Sequence, residues 1–506
     1  MFRLKSFAVL TALAVSLAIA SPFAKSAETI RIASPYTTTT LDPMRSAAAG
    51  NIEPYGLLYA RLIRKNYETG ELEPGLAESW TVSDDGKTYT FTLRDAKFSD
   101  GSPITAEDVA FSLERVRTDK SSAYPAPLGT VESIATKDDK TVVVTLKSSF
   151  GPFLSNLEIW NMGIVSKADA EKRGEKAFTE NPVSSGAYKV KEWRPNEKLV
   201  LERNENYWRQ GYPKSDATVE LLEVQNAPTR ISMLQAGEVH AVRDVPWAQI
   251  DALKQDPNID MRLEPSTTIF MVLLNSRREP FSNIKARQAA AMAVDTKAFT
   301  EAITLGNATP ANTTLPGALD FHAKDYPGIP HDPGKAKALL EESGMAGKEV
   351  SILIPATPER EQMALLLQAS WAAIGLNAKF NKVDAGAFWD VLTKGEYDAS
   401  PTWWFNETTD PDLAVRWAVC GSCGSNSFET YYNNPKVDEL VKAGASEMDT
   451  KKRAEIYQQI EKITTDEVSQ IPLYYAPNAN AYSKHVRGLS LTPSLQWTLE
   501  DTTLAN

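Results

Sequence analysis

Residues 350–383 read VSILIPATPEREQMALLLQASWAAIGLNAKFNKV, and this stretch decides the fold class. Residues 350–354 form a short apolar run typical of a buried strand, and residues 379–383 predict a second strand. Between them, residues 360–374 carry apolar side chains at helical spacing, and Gly375 marks the end of the helix. The order strand, helix, strand predicts a βαβ unit with parallel strands, and therefore an α/β protein.

An earlier part of the chain has a different character. Residues 88–93 (TYTFTL) follow an Asp-Asp-Gly turn and alternate strictly between polar and apolar, which predicts a half-buried strand. Thr105 is a good N-cap with Asp108 three residues later, so a helix is expected to begin there. With a further strand predicted at residues 141–146, the region 73–185 is expected to be rich in antiparallel strands.

Length and composition favour a globular protein of more than one lobe. The 506 residues are 42% apolar and 24% charged, and we find neither an internal repeat nor a long flexible linker. The lobes are therefore expected to be interleaved, with strands that cross between them more than once. The formal net charge of −11 argues against a nucleic-acid partner, because a phosphate backbone repels an acidic protein.

The first 27 residues predict a secretory signal. Arg3 and Lys5 precede about 14 apolar or small residues, which is too short a run to span a bilayer. Cleavage is expected after Ala20 or Ala27, and the rest of the chain has no apolar run of membrane-spanning length. Because the first cysteine is Cys420, no lipid anchor is expected, and we predict a soluble periplasmic protein.

Catalytic signatures are missing from the sequence. It contains no G-x-S-x-G, H-E-x-x-H, P-loop or G-x-G-x-x-G motif. The four histidines are far apart in the chain, so we predict neither a metal site nor a cofactor. An enzyme is disfavoured, although a catalytic triad is assembled in space rather than in sequence, and a periplasmic peptide hydrolase stays as an alternative.

The two cysteines, Cys420 and Cys423, allow three interpretations. A redox C-x-x-C motif usually opens a helix, whereas the neighbouring glycines and serines here predict a loop. A zinc site would need two further ligands that the sequence does not suggest. In an oxidising compartment we therefore favour a short structural disulfide.

Residues 403–412 (WWFNETTDPD) are the strongest candidate for a binding site. Aromatic rings beside a carboxylate form a receptor for an organic cation, since the ring faces and the acid both attract positive charge. We predict ligand contacts from Trp403, Trp404, Asn406 and Glu407. The alternative is that every second aromatic ring is buried in the core, that Asp410 caps the next helix, and that Glu407 is solvated or paired internally.

Several ordered sequence blocks resemble a known family. The chain is similar, over essentially its whole mature length, to the peptide-type extracytoplasmic solute-binding proteins, family 5, which deliver ligands to ABC importers. The blocks that carry the resemblance are Thr40-Leu41-Asp42-Pro43, Leu76-Ala77-Glu78-Ser79-Trp80, Asp84-Asp85-Gly86, Asn181-Pro182-Val183-Ser184-Ser185-Gly186 and Asp332-Pro333-Gly334-Lys335-Ala336.

The resemblance implies a two-lobed periplasmic-binding-protein fold, type II-like (cluster C), with an extra subdomain in the first lobe. Ligand would lie in the cleft between the lobes, which close over it by a hinge motion. The implied segments are 1–27 for the signal peptide, 28–72, 186–267 and 481–506 for the first lobe, 73–185 for its appended subdomain, and 268–480 for the second lobe.

The resemblance also implies roles for individual residues. Dipeptide and oligopeptide binders of the family pair an aspartate with the peptide α-ammonium, and Glu407 stands at that position with a side chain one methylene longer. The family's arginine for the ligand carboxylate has no match after the strand at 351–354, and Arg360 lies further on. By resemblance, the cleft is also lined by Tyr36, Thr37, Asn161 and Thr268.

The sequence thus predicts a monomeric receptor for peptides or related amino-acid-derived cations, with ABC permease subunits as its partner. A plain dipeptide is not favoured, because Glu407 and the absent arginine both depart from the dipeptide binders. Other solutes that the family hosts, namely opine-like conjugates, oligosaccharides and nickel chelates, stay as alternatives.

Overall fold

The computed structural model of the protein describes residues 28–505, so the predicted signal segment lies outside the described residues. Its α-helices are α1 (Ala49–Leu58), α2 (Ala106–Thr118), α3 (Phe153–Asn156), α4 (Lys167–Glu180), α5 (Ala227–Gln235), α6 (Trp247–Lys254), α7 (Ile284–Met292), α8 (Thr296–Thr304), α9 (Pro333–Glu342), α10 (Pro358–Ile374), α11 (Phe388–Thr393), α12 (Pro411–Ala418), α13 (Pro435–Ser446) and α14 (Thr450–Asp466).

The strands are numbered in the same way along the chain. They are β1 (Thr29–Ser34), β2 (Ile63–Lys65), β3 (Leu72–Pro74), β4 (Ala77–Val82), β5 (Thr88–Leu93), β6 (Val131–Asp138), β7 (Thr141–Leu146), β8 (Tyr188–Arg194), β9 (Lys198–Arg203), β10 (Thr218–Glu223), β11 (Ala241–Val242), β12 (Ile259–Leu274), β13 (Thr309–Pro310), β14 (Glu349–Pro355), β15 (Asn377–Val383), β16 (Ala399–Phe405), β17 (Gln470–Ser483), β18 (Val486–Arg487), β19 (Ser490–Leu491), β20 (Trp497–Thr498) and β21 (Thr503–Leu504).

One large mixed sheet runs through the molecule in the order β15-β14-β16-β12-β17-β11-β1-β10-β9-β8. We call the end formed by β8, β9, β10, β1 and β11 lobe I, and the end formed by β16, β14 and β15 lobe II. The long strands β12 and β17 belong to both ends. Residues 259–264 of β12 pair with 478–483 of β17 beside lobe I, and residues 268–273 pair with 470–476 beside lobe II.

The expectation that strands cross between the lobes is therefore confirmed for β12 and β17. The predicted segment boundaries at 267/268 and 480/481 fall inside these two strands, and the boundaries themselves stay predictions.

The βαβ prediction is also confirmed. Strands β14 and β15 are parallel along their whole length, α10 connects them, and Gly375 ends the helix with a left-handed φ of 93°.

A second sheet, β4-β5-β7-β6, is antiparallel and lies in the region predicted to be so. Strand β5 has the bounds that its alternating pattern predicts, and its apolar residues are the buried ones. Thr105 and Asp108 form a complete capping box at the start of α2, as predicted. The apolar side chains of this sheet and of lobe I pack in one continuous core.

Lobes I and II touch each other beside this second sheet. The backbone N–H of Gly151 donates to the carbonyl of Ala445 at 2.8 Å, which joins the loop before α3 to α13. On the same side, Lys65 of β2 donates to a carboxylate oxygen of Asp320 at 2.9 Å, and the lysine side chain is only 4% exposed. The two lobes are therefore closed against each other along this edge.

Cys420 and Cys423 are joined by a disulfide in the loop after α12, with their Cα atoms 5.4 Å apart. The backbone N–H groups of the two residues between them, Gly421 and Ser422, donate to the carboxylate of Asp438 in α13. The loop is thus fastened both covalently and by hydrogen bonds to the next helix.

The fold predicts a large cost for removing Trp371. This side chain is fully buried in lobe II, and its indole N–H donates to the carbonyl of Ala290 at 3.0 Å. We expect Trp371→Ala to lower the free energy of unfolding by about 3–5 kcal/mol, because a cavity and an unpaired carbonyl remain. Trp389→Ala is the matched control, since Trp389 is 47% exposed in the same lobe. Equal losses in urea unfolding of the two variants would contradict this account.

Candidate functional site

A cavity of about 740 Å³ lies between lobe I and lobe II. Lobe I contributes the segment that leads from β11 into α6, and lobe II contributes the C-terminal end of α8 and the first turn of α10. Strands β12, β16 and β17 form its floor. A pocket of this size between two lobes is ordinary for the binding of small molecules.

The floor of the cavity is set by the register of three strands. Thr268 and Phe270 of β12 lie on it, with Trp403 opposite Phe270 and Ala476 opposite Thr268. The Phe270 ring stacks on Tyr474, with centroids 4.4 Å apart, and against Trp403, with centroids 6.3 Å apart. The floor therefore presents two aromatic rings, Phe270 and Trp403, and the fully buried ring of Tyr474 packs against Phe270.

The wall from lobe I carries charge. Asp244, in the left-handed region at φ 51°, follows β11 and lines the cavity, where its carboxylate accepts the hydroxyl proton of Tyr36. Its side chain is 39% exposed. The neighbouring Arg243 is fully buried and pairs with Glu53, and its guanidinium also lies 3.9 Å from the carboxylate of Asp244. Asp244 is thus a carboxylate open to the cavity.

Alternation along β16 separates the aromatic side chains of residues 403–405. Trp403 lines the cavity, and Phe405, on the same side of the strand, packs against the core of lobe I. The rings of these two residues stack with centroids 6.3 Å apart. Trp404 points the other way, is 7% exposed and packs edge-on against Phe428 in the core of lobe II. The extended backbone continues past the strand, because the N–H of Asn406 donates to the carbonyl of Thr267.

Glu407 lies two residues after Phe405, in the bend between β16 and α12. One oxygen of its carboxylate accepts a hydrogen bond from the hydroxyl of Tyr124, at 3.0 Å, and Tyr124 belongs to the opposite lobe. Burial raises the pKa of Glu407 to about 7, and the bond from Tyr124 offsets only part of this rise. Within residues 28–505, the carboxylate of Glu407 is therefore held between the lobes without a basic partner.

Behind Tyr124 lies one more of the predicted residues, Asn161. The amide nitrogen of Asn161 donates to the carbonyl of Tyr124 at 2.8 Å, while its side-chain oxygen is buried without a partner. The ring of Tyr124 stacks on Trp160, with centroids 6.2 Å apart. Asn161 thus holds Tyr124 in place, and Tyr124 in turn contacts Glu407.

The structure brings together some of the predicted site residues and not others. Tyr36, Thr268 and Trp403 line the cavity. Asn406 is 1% exposed, and its amide nitrogen donates to the carbonyls of Thr408 and Asp410, which shapes the turn before α12. Thr37 donates its hydroxyl proton to Glu223 at the edge of lobe I.

Asp410 has the capping role that the sequence left open for it, since its side chain accepts from the N–H of Asp412 at the start of α12. It also pairs with Arg453 at 2.9 Å.

Arg360 belongs to the first turn of α10 and is 8% exposed, with its guanidinium 5.0 Å above the ring of Phe270. A positive charge therefore lies directly behind the aromatic floor.

Sequence reasoning missed Asp244, Phe270 and Tyr124. Asp244 follows a two-residue strand whose pairing partner lies some 240 positions away, at 481–482, and Tyr124 lies in an irregular segment after α2. Phe270 was the one with a detectable signal, because it lies in an apolar run only two residues after the predicted Thr268.

No helix in residues 28–505 combines the length and apolar character needed to cross a membrane. Within the same residues, no group of three or more His, Cys, Asp or Glu side chains is placed to hold a metal ion.

Two lobes that share two crossing strands and enclose a cavity define the class of two-lobed solute receptors. In agreement, residues 71–426 match the family described as bacterial extracellular solute-binding proteins, family 5 Middle. The chain belongs to this family, and it is a solute-binding protein.

Individual relatives agree with this assignment. The chain is 30% identical over 452 residues to the di/tripeptide-binding protein 1 of Pseudomonas aeruginosa (strain UCBPP-PA14), covering 83% of each chain. It is 29% identical over 510 residues to the glutathione-binding protein GsiB of Escherichia coli O1:K1 / APEC, covering 98% of each. Among solved structures, the periplasmic binding protein DppA of Helicobacter pylori in complex with the peptide STSA superposes with a TM-score of 0.82 at 24% identity. That match covers 94% of this chain and 98% of DppA.

The raised pKa of Glu407 predicts a pH dependence of stability. Its ordinary value is 4.5 and its value in the folded protein is about 7, so between these pH values the folded state holds a proton that the unfolded state has lost. Stability should therefore fall as the pH rises from about 4.5 to 7, by up to about 3 kcal/mol, and stay constant above.

The measurement compares wild type with Glu407→Gln in urea unfolding at several pH values from 4.5 to 8. Glutamine keeps an acceptor for Tyr124 but does not titrate, so the difference between the two proteins isolates this one group from the other carboxylates. A difference in unfolding free energy that does not change over this range would show that Glu407 titrates normally.

Proposed function

We propose that this protein captures peptides, or related amino-acid-derived solutes with a free ammonium group, in the space between lobes I and II. It then delivers them to the permease of an ABC importer and performs no chemistry on them. The observation that carries the proposal is the carboxylate of Glu407, which is held between the lobes with a tyrosine hydroxyl as its hydrogen-bond donor. No cation from the described part of the chain lies beside it.

The electrostatics of this position favour a cationic ligand. A carboxylate that is withdrawn from water prefers to be protonated unless a positive charge accompanies it. The ammonium group of a peptide supplies that charge together with three hydrogen-bond donors. Asp244 adds a second carboxylate on the cavity wall.

The surroundings of the site suit a peptide body. Strand β16 ends beside Glu407, so an extended ligand can follow the direction of the strand and use backbone hydrogen bonds. The relative named as a di/tripeptide-binding protein supports a peptide ligand, and the one named for glutathione supports a modified peptide.

The proposed location is the periplasm, reached through the predicted signal in residues 1–27. Closure of the two lobes over the ligand buries it and brings the lobe surfaces into the arrangement that permease subunits would recognise. Delivery to a permease requires that the ligand leave unchanged, which separates this proposal from the hydrolase alternative.

The test begins with protein purified from its native source without added ligand. The protein is denatured, and the small molecules released from it are identified by mass spectrometry. The released candidates and a set of synthetic di-, tri- and tetrapeptides are then titrated by calorimetry. One-to-one binding, with the peptide recovered intact after prolonged incubation, supports the proposal. Cleaved products would establish a hydrolase. Binding of sugars or metal chelates without binding of peptides would show that the receptor takes one of those solutes instead of peptides.

We predict that Glu407→Gln weakens the binding of an ammonium-bearing ligand at pH 8 by about 2–5 kcal/mol, because the ligand charge is then buried without a counter-charge. Calorimetric dissociation constants measure the effect. Glu396→Gln serves as control, since Glu396 is an exposed carboxylate of lobe II outside the cavity. An unchanged dissociation constant for Glu407→Gln would remove Glu407 from the site while leaving the receptor function intact.

A further inference from the structure

Lys65 is a residue of lobe I whose charged end is bound by lobe II. It is the last residue of β2, which pairs with β3, and Ile63 of the same strand is buried in the core of lobe I. The ammonium group of Lys65 donates to the carboxylate of Asp320 at 2.9 Å and to the hydroxyl of Thr409, and the lysine side chain is only 4% exposed. Both acceptors belong to lobe II, so Lys65 keeps them only while the two lobes are together.

The two acceptors are also bonded to each other. The hydroxyl of Thr409 donates to the carboxylate of Asp320 at 3.0 Å, and the backbone N–H of Asp320 donates to the carbonyl of Thr409 at 2.7 Å. Leu319, the neighbour of Asp320, is buried in the core of lobe II. Thr409 lies two residues after Glu407 in the bend before α12. Lys65 therefore holds, from lobe I, the segment of lobe II that carries Glu407.

A second carboxylate, that of Glu158, lies near Lys65. Glu158 is 2% exposed, its side chain accepts from the hydroxyl of Tyr67 at 3.0 Å, and its backbone carbonyl accepts from the guanidinium of Arg61 at 2.6 Å. Burial raises the pKa of Glu158, although the charges of Arg61 and Lys65 oppose the rise. A carboxylate with a raised pKa is a poor counter-charge. Asp320 is the acid in direct contact with Lys65, and its side chain is 40% exposed and keeps contact with water.

The other two contacts between the lobes described above have uncharged donors, namely the backbone N–H of Gly151 and the hydroxyl of Tyr124. When such a donor separates from its acceptor at a surface, water replaces the lost hydrogen bond, so the net effect on closure is small. A buried ammonium group behaves differently, because closure takes a full charge out of water. The compensation of Lys65 therefore has the larger influence on whether the lobes stay together.

We propose that Lys65 and Asp320 form a latch that holds lobes I and II together without a ligand. Removing one partner of a buried ion pair leaves a buried charge without compensation, and this strongly disfavours the arrangement that buries it. Removing both partners is often neutral. In an open arrangement the ammonium of Lys65 returns to water, where its pairing contributes little. The latch thus acts on the closed state and, through Thr409, keeps the bend with Glu407 in place before a ligand arrives.

The experiment measures the separation of the lobes by small-angle X-ray scattering of the ligand-free protein. Bound ligand is removed by unfolding, dialysis and refolding, and its removal is checked by mass spectrometry. The measured radius of gyration is compared with the value calculated from the closed structure. A compact chain of this length has a radius of gyration of about 23 Å, against about 80 Å for the unfolded chain, so a modest increase identifies opening and not unfolding.

Four proteins are compared: the wild type, Asp320→Asn, Lys65→Met and the double variant Lys65→Met/Asp320→Asn. We expect the wild type to match the closed structure. Asp320→Asn should lower the ratio of closed to open molecules by about 100-fold and increase the radius of gyration, because closure then buries Lys65 without its counter-charge. Lys65→Met should have a smaller effect, since the partly exposed Asp320 keeps its water. The double variant should return to the wild-type value.

Glu342→Gln is the matched control, because the pair of Glu342 with Lys285 lies within lobe II and both side chains are about half exposed. This variant should keep the wild-type radius of gyration. Three results would each overturn the latch: a ligand-free wild type larger than the closed structure, an unchanged radius in Asp320→Asn, or a double variant as open as Asp320→Asn. Since the measurement needs no peptide, failure of the latch leaves the proposed receptor standing, and failure of peptides to bind leaves the latch standing.

Discussion

The antiparallel pairing of β12 with β17 is the constraint on which the rest of the structure depends. The two strands are some 200 residues apart in the chain, and their pairing places both lobes in one sheet. Each strand contributes one end to each lobe. The register shifts between Glu264 and Thr268, so the ladder is interrupted where the lobes meet. The cavity lies beside this interruption, with Thr268 and Ala476 on its floor.

The same pairing decides which aromatic residues are available to a ligand. Because β16 pairs with β12 in a fixed register, Trp403 lies opposite Phe270 and Trp404 lies opposite Ile269. A shift by one residue would exchange the two faces, so that Trp404 would enter the cavity and Trp403 the core. The buried packing of Trp404 against Phe428 therefore stabilises the orientation that leaves Trp403 open. Two consecutive residues of β16 therefore serve different parts of the protein, since Trp404 packs in the core and Trp403 lines the cavity.

Local signals predicted a large part of the fold. The capping box of Thr105 and Asp108, the alternation of β5 and the βαβ unit around α10 all depend on residues that are near each other in sequence, and the structure has each of them. The family resemblance added the two-lobed architecture. Glu407 and Trp403 could be proposed from the sequence, because a carboxylate and aromatic rings occur together in one short segment.

The remaining part of the site could not be predicted from local sequence. Asp244 reaches the cavity because β11 pairs with β1 and β17, both more than 200 residues away in the chain. Tyr124 meets Glu407 across the two lobes, and nothing near Tyr124 in the sequence marks this contact. Such residues owe their position to long-range pairing and to the packing of one lobe against the other, which a pattern of a few residues does not encode.

Lobe closure and ligand charge are linked through Glu407. In the structure its carboxylate lies against Tyr124 of the opposite lobe, so closing the lobes removes this group from water. An ionised carboxylate pays a desolvation cost in that position, and the rise of its pKa to about 7 is the measure of this cost. Protonation avoids the cost in the absence of ligand. A ligand ammonium avoids it in a second way, because it supplies a counter-charge at the moment of closure. Above about pH 7, an ionised Glu407 without a ligand disfavours the closed arrangement of the proposed receptor. A ligand cation beside Glu407 stabilises that arrangement in the same pH range. The preference for cationic ligands and the preference for the closed state therefore arise from the same buried charge.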